Sequence, residues 1–274
     1  TAVLDRLGGS SWQKLKAKTR KSIVAMAKEL LRIYASRELN EGHSFPPPDQ
    51  VYREFEAAFE YEETPDQGQA IAETLTDMTK DKPMDRLICG DVGYGKTEVA
   101  MRAAFMAVMG GKQVAVLTPT TVLAQQHLET FRDRFEPYPM RVESLSRFVT
   151  GKNVQQSLRD IALGLVDITI GTHRLLQSDV AFKNLGLVVI DEEHRFGVGH
   201  KEKLKKLRAS VDVISLTATP IPRTLHMSLA GIRDLSVIET PPPNRLAVST
   251  YVTRYDEGVI RDAILREISR EGQV

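Results

Sequence analysis

Two hydrophobic periodicities alternate along this chain. Short apolar runs at Arg86–Cys89, Gln113–Leu117, Arg141–Leu145, Asp167–Ile170, Leu187–Ile190 and Val213–Leu216 read as strands. Between them, apolar residues at three- and four-residue steps predict helices over Lys96–Val108, Leu123–Phe135, Val154–Leu163 and Lys201–Leu207. Strands that are apolar on both faces, separated by helices, predict an α/β fold: a parallel sheet with helices on both faces.

The flanks read differently. Ile23, Met26, Leu30 and Ile33 recur at helical spacing, so an amphipathic helix is expected from Trp12 to Leu39, with first turns too basic to bury. Pro46, Pro47 and Pro48 then break regular structure, and Asp49 can cap a second helix that carries Tyr52, Phe55 and Phe59. Thr64-Pro65 supplies an N-cap with proline at the first helical position and opens a helix over Asp66–Met78. At the other end Pro241, Pro242 and Pro243 form a stiff linker, followed by a strand over Leu246–Thr253 and a helix over Val259–Ile268. The pattern divides the chain into a helical segment at 1–59, an α/β lobe at 60–240, and a linker with the start of a further lobe at 241–274. It reads as an excised piece.

Composition adds little until charge is placed along the chain. The 274 residues, 42% hydrophobic, suffice for one large core with a smaller appendage. The net charge of +1 hides a basic stretch from Trp12 to Arg37 followed by an acidic one from Glu38 to Asp66. These are two interaction surfaces or two solvated faces that attract each other. Cys89 is the single cysteine, so no disulfide framework is possible and a reducing compartment fits. No apolar run reaches membrane-spanning length and no signal peptide opens the chain, so a cytoplasmic location is expected.

The chemistry concentrates at two strand ends. Gly90-Asp91-Val92-Gly93-Tyr94-Gly95-Lys96-Thr97 satisfies the G-x-x-x-x-G-K-[ST] pattern between an expected strand and an expected helix. Gly93 and Gly95 let backbone N–H groups close around phosphate oxygens at a helix N-terminus. Lys96 then supplies a charge to the outer phosphates and Thr97 a magnesium-binding hydroxyl. Tyr94 and Glu98 complete the local nucleotide-binding set. At the end of Leu187–Ile190 come Asp191 and Glu192, where ligands sit in such sheets. Asp191 is expected to bind magnesium with Thr97, and Glu192 to orient or deprotonate the attacking water. Lys96, Asp191 and Glu192 are thus the expected catalytic set, with ATP and Mg2+ as cofactors. Glu193 reads as a surface acid. His194 has three readings: a γ-phosphate sensor, a link from the site to nucleic acid, and a packing or hydrogen-bonding residue. Thr217 and Thr219 follow another apolar strand and either pass on the nucleotide state or form a structural turn.

Taken in order, these motifs resemble those of the superfamily 2 helicases, and among them the bacterial transcription-repair coupling factors, with the branch-migrating RecG helicases next. The resemblance rests on Thr64-Pro65-Asp66-Gln67, the glycine-rich loop, Thr118 through His127, Ile170 through Leu176, Asp191 through Val198, and Leu216 through Thr224. It implies a RecA-like lobe of an ATP-dependent double-stranded DNA translocase, which displaces stalled RNA polymerase in transcription-coupled repair; the alternatives are a fork-remodelling helicase lobe or a nucleotide-gated protein-binding scaffold. It implies that Gln67 reads adenine, with Tyr61 and Glu62 near the base. Thr120, Thr121, Gln125, Arg147, Thr172, His173 and Arg174 are implied to contact DNA, Arg147 having the plain alternative of a surface arginine. His194, Thr217 and Thr219 are implied to couple the ATP and DNA sites. The helix beginning at Trp12 is similar to the family's relay helix. RNA polymerase and nucleotide-excision-repair proteins are implied partners through domains outside this chain; no membrane partner is expected. Because the family's arginine finger lies in a second lobe, the chain alone is expected to be a poor ATPase.

Overall fold

The computed structural model describes residues 12, 14–21, 35, 37, 39–145, 151–218, 233–243 and 252–274. The side chains of 151–153, 194, 198, 201, 202, 205 and 206 are not among those described. Two compact units are present, 1–243 and 244–274.

The first unit is built on seven parallel strands: β1 (Asp85–Gly90), β2 (Gln113–Leu117), β3 (Val142–Leu145), β4 (Ile168–Gly171), β5 (Leu185–Asp191), β6 (Asp212–Thr217) and β7 (Asp234–Ile238). Their order across the sheet is β3-β4-β2-β5-β6-β1-β7. The helices are α1 (Gln50–Ala57), α2 (Pro65–Met78), α3 (Lys96–Met109), α4 (Thr121–Phe135), α5 (Gly151–Leu163) and α6 (Val198–Leu207). Every described residue between 12 and 39 is helical. In the second unit, α7 (Glu257–Ser269) is capped by Asp256 and buries none of its side chains. Of the expected strand Leu246–Thr253, all but the last two residues lie outside the described set, and those two are not in a strand.

The alternation of apolar strand residues explains the two-sided sheet. Leu187 and Val189 of β5 join one core with Ile88, Val114, Val116 and the inner faces of α2, α3 and α4. Val188 and Ile190 join a second core on the opposite face with Leu117, Leu145 and Leu204. Neighbouring residues on a strand point to opposite faces, so an unbroken apolar run requires cover on both sides. The strand β7 was not expected. Its Asp-Leu-Ser-Val-Ile sequence is half exposed, as suits an edge strand, and so lacks the apolar run that marks the central strands.

Helix α1 belongs to this packing although it precedes residue 60. Phe55 is fully buried and stacks on Phe105 of α3 with ring centroids 4.1 Å apart. Burying such a ring contributes about 1.5–3 kcal/mol. A charged cluster surrounds it. Arg102 of α3 is wholly buried and pairs with Glu98, Glu56 and Glu63. Arg134 of α4 donates to Phe55 O at 2.6 Å and lies over the Phe55 ring. A boundary between 59 and 60 therefore cuts through a shared core.

At the opposite end of the sheet Asp212 is buried beside the start of β1. Its Oδ1 accepts from Met84 N at 2.8 Å, while Oδ2 is buried with no hydrogen-bond partner among the described residues. Burial pushes this carboxyl up from its ordinary 3.8 to about 7, opposed by the Met84 hydrogen bond and assisted by the charge of Asp77. The folded state therefore binds the proton more tightly than the unfolded chain, and stability falls as pH rises through that window. Asp212→Asn keeps the acceptor and removes the titration. Thermal melts should show the variant gaining on the wild type from about pH 4 to about pH 7; a difference that stays constant with pH would contradict this assignment.

Candidate nucleotide-binding site

The lengths and order of three neighbouring strands build the site. Strand β6 pairs with β1 on one side and β5 on the other, with Cys89 opposite Thr217 and Asp191 opposite Leu216. Their C-terminal ends thus deliver the glycine-rich loop, the acidic pair and Thr217-Ala218 to one edge of the sheet. A cavity of about 880 Å³ opens there, lined by Gly93, Lys96, Thr97, Asp191, Glu192 and Ala218 and walled on one side by α4.

The loop after β1 is held by its own lysine. Lys96 Nζ donates to Gly90 O at 2.6 Å and to Asp91 O at 2.8 Å. Burial pushes its pKa down, against the opposing charges of Asp191 and Glu192. Gly93 and Gly95 take φ of 79° and 77°, where a side chain is strained. Gly95 has a second reason to lack a side chain, because a Cβ would run into the Gln67 amide. That amide is bonded at both ends: its Oε1 accepts from Thr64 N and its Nε2 donates to Tyr94 O, each at 2.9 Å. The first bond closes a capping box with Thr64, so Gln67 ties the start of α2 to the loop. Tyr61 is exposed beside Phe59, and Glu62 is exposed.

Glu192 is the strained residue of the acidic loop. Its φ of 51° is left-handed, a conformation costing on the order of 1–3 kcal/mol for such a residue. Glu192 N donates to Leu216 O at 3.0 Å and Glu192 Oε1 accepts from Ala218 N at 3.2 Å, so both its backbone and its carboxylate are fastened to the end of β6. Thr217 is buried at the same strand end. Asp191 Oδ2 lies 3.0 Å from His127 Nε2 on α4, a partner with no sequence-based assignment. Arg195 also lines the cavity without having been anticipated. Both lie in segments that carry the family resemblance, yet only the folded chain shows which way they face.

Two expectations are corrected. Glu98 does not face the cavity: its Oε1 accepts from Arg102 and Arg134, which hold it in the buried charged cluster. It immediately follows Thr97, and the turn of the helix carries it to the core side. Glu193 is not a free surface acid. Its Oε2 pairs with Arg208 at 2.7 Å and Arg233 at 3.1 Å and accepts from Ser215, while Asp85 pairs with Arg233 at 2.9 Å. Burial raises the Glu193 pKa, but the charges of Arg208 and Arg233 and their hydrogen bonds outweigh that and hold the carboxyl well below its usual range.

The residues expected to meet DNA lie at neighbouring strand ends, since β2 and β4 pair with Leu117 opposite Gly171. Thr120 is exposed and caps α4, accepting from Leu123 N at 3.2 Å. Thr121 is half-buried, and Gln125 is exposed and donates to Glu129. Thr172 is buried, and His173 packs against His200 with ring centroids 5.1 Å apart. Arg174 makes two 2.6 Å bonds to the Asp179 carboxylate, which a phosphate would have to replace. Arg147, Thr219 and the His194 side chain lie outside the described residues.

Comparison with known proteins places this geometry in a family. A family model described as DEAD/DEAH box helicase matches residues 64–228. The chain belongs to the DEAD/DEAH box helicase family. Among curated relatives, this helicase lobe is 57% identical over 271 residues to the transcription-repair-coupling factor of Bacillus subtilis and 58% identical over 273 residues to that of Escherichia coli. Those alignments cover 99% and 100% of this chain but 23% and 24% of the relatives, so the chain spans about a quarter of their length. Among solved structures, RecG bound to a three-way DNA junction matches with a TM-score of 0.75 and 34% identity, over 90% of this chain and 34% of that one. A DNA-bound structure of the helicase MrfA matches with a TM-score of 0.54, 15% identity, and 73% and 31% coverage, which speaks to the fold alone. The resemblance to coupling factors and the RecA-like lobe expected from sequence are both borne out.

The Glu193 cluster yields a test. Glu193→Gln leaves two buried guanidinium groups without their shared charge, and the expected loss in chemical denaturation is about 2 kcal/mol or more. Because the native pKa is lowered, the wild-type advantage should be full above the ordinary 4.5 and shrink on acidification below it. Equal stabilities at neutral pH would remove the cluster's role.

Proposed function

We propose that this chain is the ATP-binding lobe of a double-stranded DNA translocase that acts in transcription-coupled repair by displacing stalled RNA polymerase. The observation that carries the nucleotide part is that Lys96, Thr97, Asp191 and Glu192 line a common cavity. The residues fit the cofactors. A hydroxyl and carboxylates are the hard oxygen donors magnesium takes, and the glycine loop leads into a helix N-terminus suited to phosphate. Magnesium, when bound, neutralises charge on the transferring phosphoryl group. Thr97 and Asp191 are the residues to hold it. Lys96 exchanges its two loop carbonyls for phosphate oxygens. Glu192, fixed through Ala218 N, orients the attacking water and takes its proton, and its link to the end of β6 carries the nucleotide state towards Thr217.

The repair role rests on the identity to coupling factors along essentially the whole chain. Identity to RecG is lower, and fork remodelling is the second reading. RNA polymerase and excision-repair proteins are proposed as partners of the whole protein, bound outside this lobe. Thr120, Thr121, Gln125, Arg147, Thr172, His173 and Arg174 are proposed to touch the DNA backbone, where short polar groups and cations position a motor without reading bases. A cytoplasmic location accords with this role; among the described residues no helix is long and apolar enough to cross a membrane. We divide the chain functionally into 1–59, 60–240 and 241–274, with α1 serving as a brace between the first two.

Two measurements test the proposal. In the full-length protein, Lys96→Ala should abolish ATP turnover and weaken nucleotide binding, whereas Glu192→Gln should preserve binding and block hydrolysis, because a phosphate anchor acts in ground and transition states and a water-orienting carboxylate mainly in the latter. Normal turnover by the Glu192→Gln protein would remove the assignment. The isolated chain should hydrolyse ATP slowly with or without duplex DNA, since an arginine finger supplied from elsewhere contributes roughly 10³–10⁵ in rate. A DNA-stimulated rate within about threefold of the full-length protein would show one lobe to be sufficient.

A further inference from the structure

The segment Thr118 through His127 stands out in the sequence, yet its last residue has no part in the chemistry described so far. His127 lies on the second turn of α4 and is 8% exposed. Its Nε2 sits 3.0 Å from Asp191 Oδ2, and among the described residues it is the one hydrogen-bond partner of that carboxylate. A carboxylate that binds a cation accepts hydrogen bonds and donates none, so Nε2 carries the hydrogen and donates. The ring is itself held: it meets Phe131, one turn further along, edge-on at 6.2 Å, and Phe131 is fully buried in the main core. Lys96, whose charge also acts on Asp191, directs hydrogen bonds to Gly90 O and Asp91 O.

We infer that His127 is a positioning residue for the metal-binding carboxylate: by donating to Asp191 Oδ2 from a ring locked in the core, it fixes the carboxylate so that Oδ1 faces the cavity where magnesium binds. Outer partners of this kind orient metal-binding carboxylates, and losing one typically costs 10- to 100-fold in metal affinity. The inference rests on the nucleotide-site assignment made above. It also separates His127 from an ordinary core histidine, whose loss would disturb packing but would not act on the metal selectively.

The test is to titrate free Mg2+ against the binding of a fluorescent ADP analogue to this chain, for the wild type and for His127→Ala, His127→Phe and His127→Gln. Phenylalanine keeps the packing against Phe131 and removes the donor; glutamine restores an N–H donor. The Ala and Phe proteins should need about tenfold more Mg2+ for half-saturation, while metal-free nucleotide affinity stays within about twofold of wild type and Gln returns to within about threefold. Should the Ala protein fail to fold, the Phe and Gln pair decides. A Phe protein with wild-type Mg2+ dependence, or one that loses metal-free and metal-dependent binding by the same factor, overturns the inference while leaving the nucleotide site standing. A wild-type chain whose nucleotide binding does not respond to Mg2+ overturns the nucleotide-site assignment instead, and the inference with it.

Discussion

Strand β6 is hydrogen-bonded on both sides, to β1 and to β5, and the register of those two ladders decides where every group in the cavity can be. Parallel pairing keeps all three C-terminal ends on one edge. The glycine loop leaves β1 there, the acidic pair leaves β5, and Thr217-Ala218 leaves β6. A shift of one residue in either ladder would exchange core-facing and opposite-facing side chains along a whole strand, so the two apolar cores fix the register, and with it the site.

Charge burial reinforces that arrangement from outside the cavity. On one face, Glu193 binds Arg208, Arg233 and Ser215, which anchors the acidic loop to β6 and to the residue preceding β7. On the other, Glu98, Arg102 and Arg134 connect the first turn of α3 to α4 and to the residues around α1. Buried ion pairs need not add much stability over apolar packing, but they are costly to break one partner at a time. They therefore hold relative position. Glu192 shows the consequence, since its left-handed backbone persists only because the surrounding contacts over-determine it.

Two single side chains tie the site to its neighbours. Gln67 joins the start of α2 to the glycine loop, and His127 joins α4 to Asp191. Helix α4 begins at Thr121 with Thr120 as its cap, so the element proposed to meet DNA at one end touches the carboxylate proposed to hold magnesium from its second turn. The proposed nucleotide and nucleic-acid contacts thus fall on a shared set of elements rather than on separate loops.

Much of this was legible in the chain itself. Short apolar runs and period-3.6 patterns reveal six of the seven strands and the helices between them, because full burial on both faces of the central strands leaves an apolar run; β7, a half-exposed edge strand, carries only the pair Val237-Ile238 at its end. The glycine loop, Thr97 and the Asp191-Glu192 pair were legible because phosphate and magnesium demand particular groups next to one another in sequence. The directions of Glu98, Glu193 and His127 were not. Each sits beside or within a recognisable motif, but its partner is distant along the chain: Arg134 for Glu98, Arg233 for Glu193, Asp191 for His127. Sequence determined which groups are available at the strand ends. Which of them turn into the cavity and which into the core was decided only by packing, because a side chain's facing depends on the helices and strands that close over it.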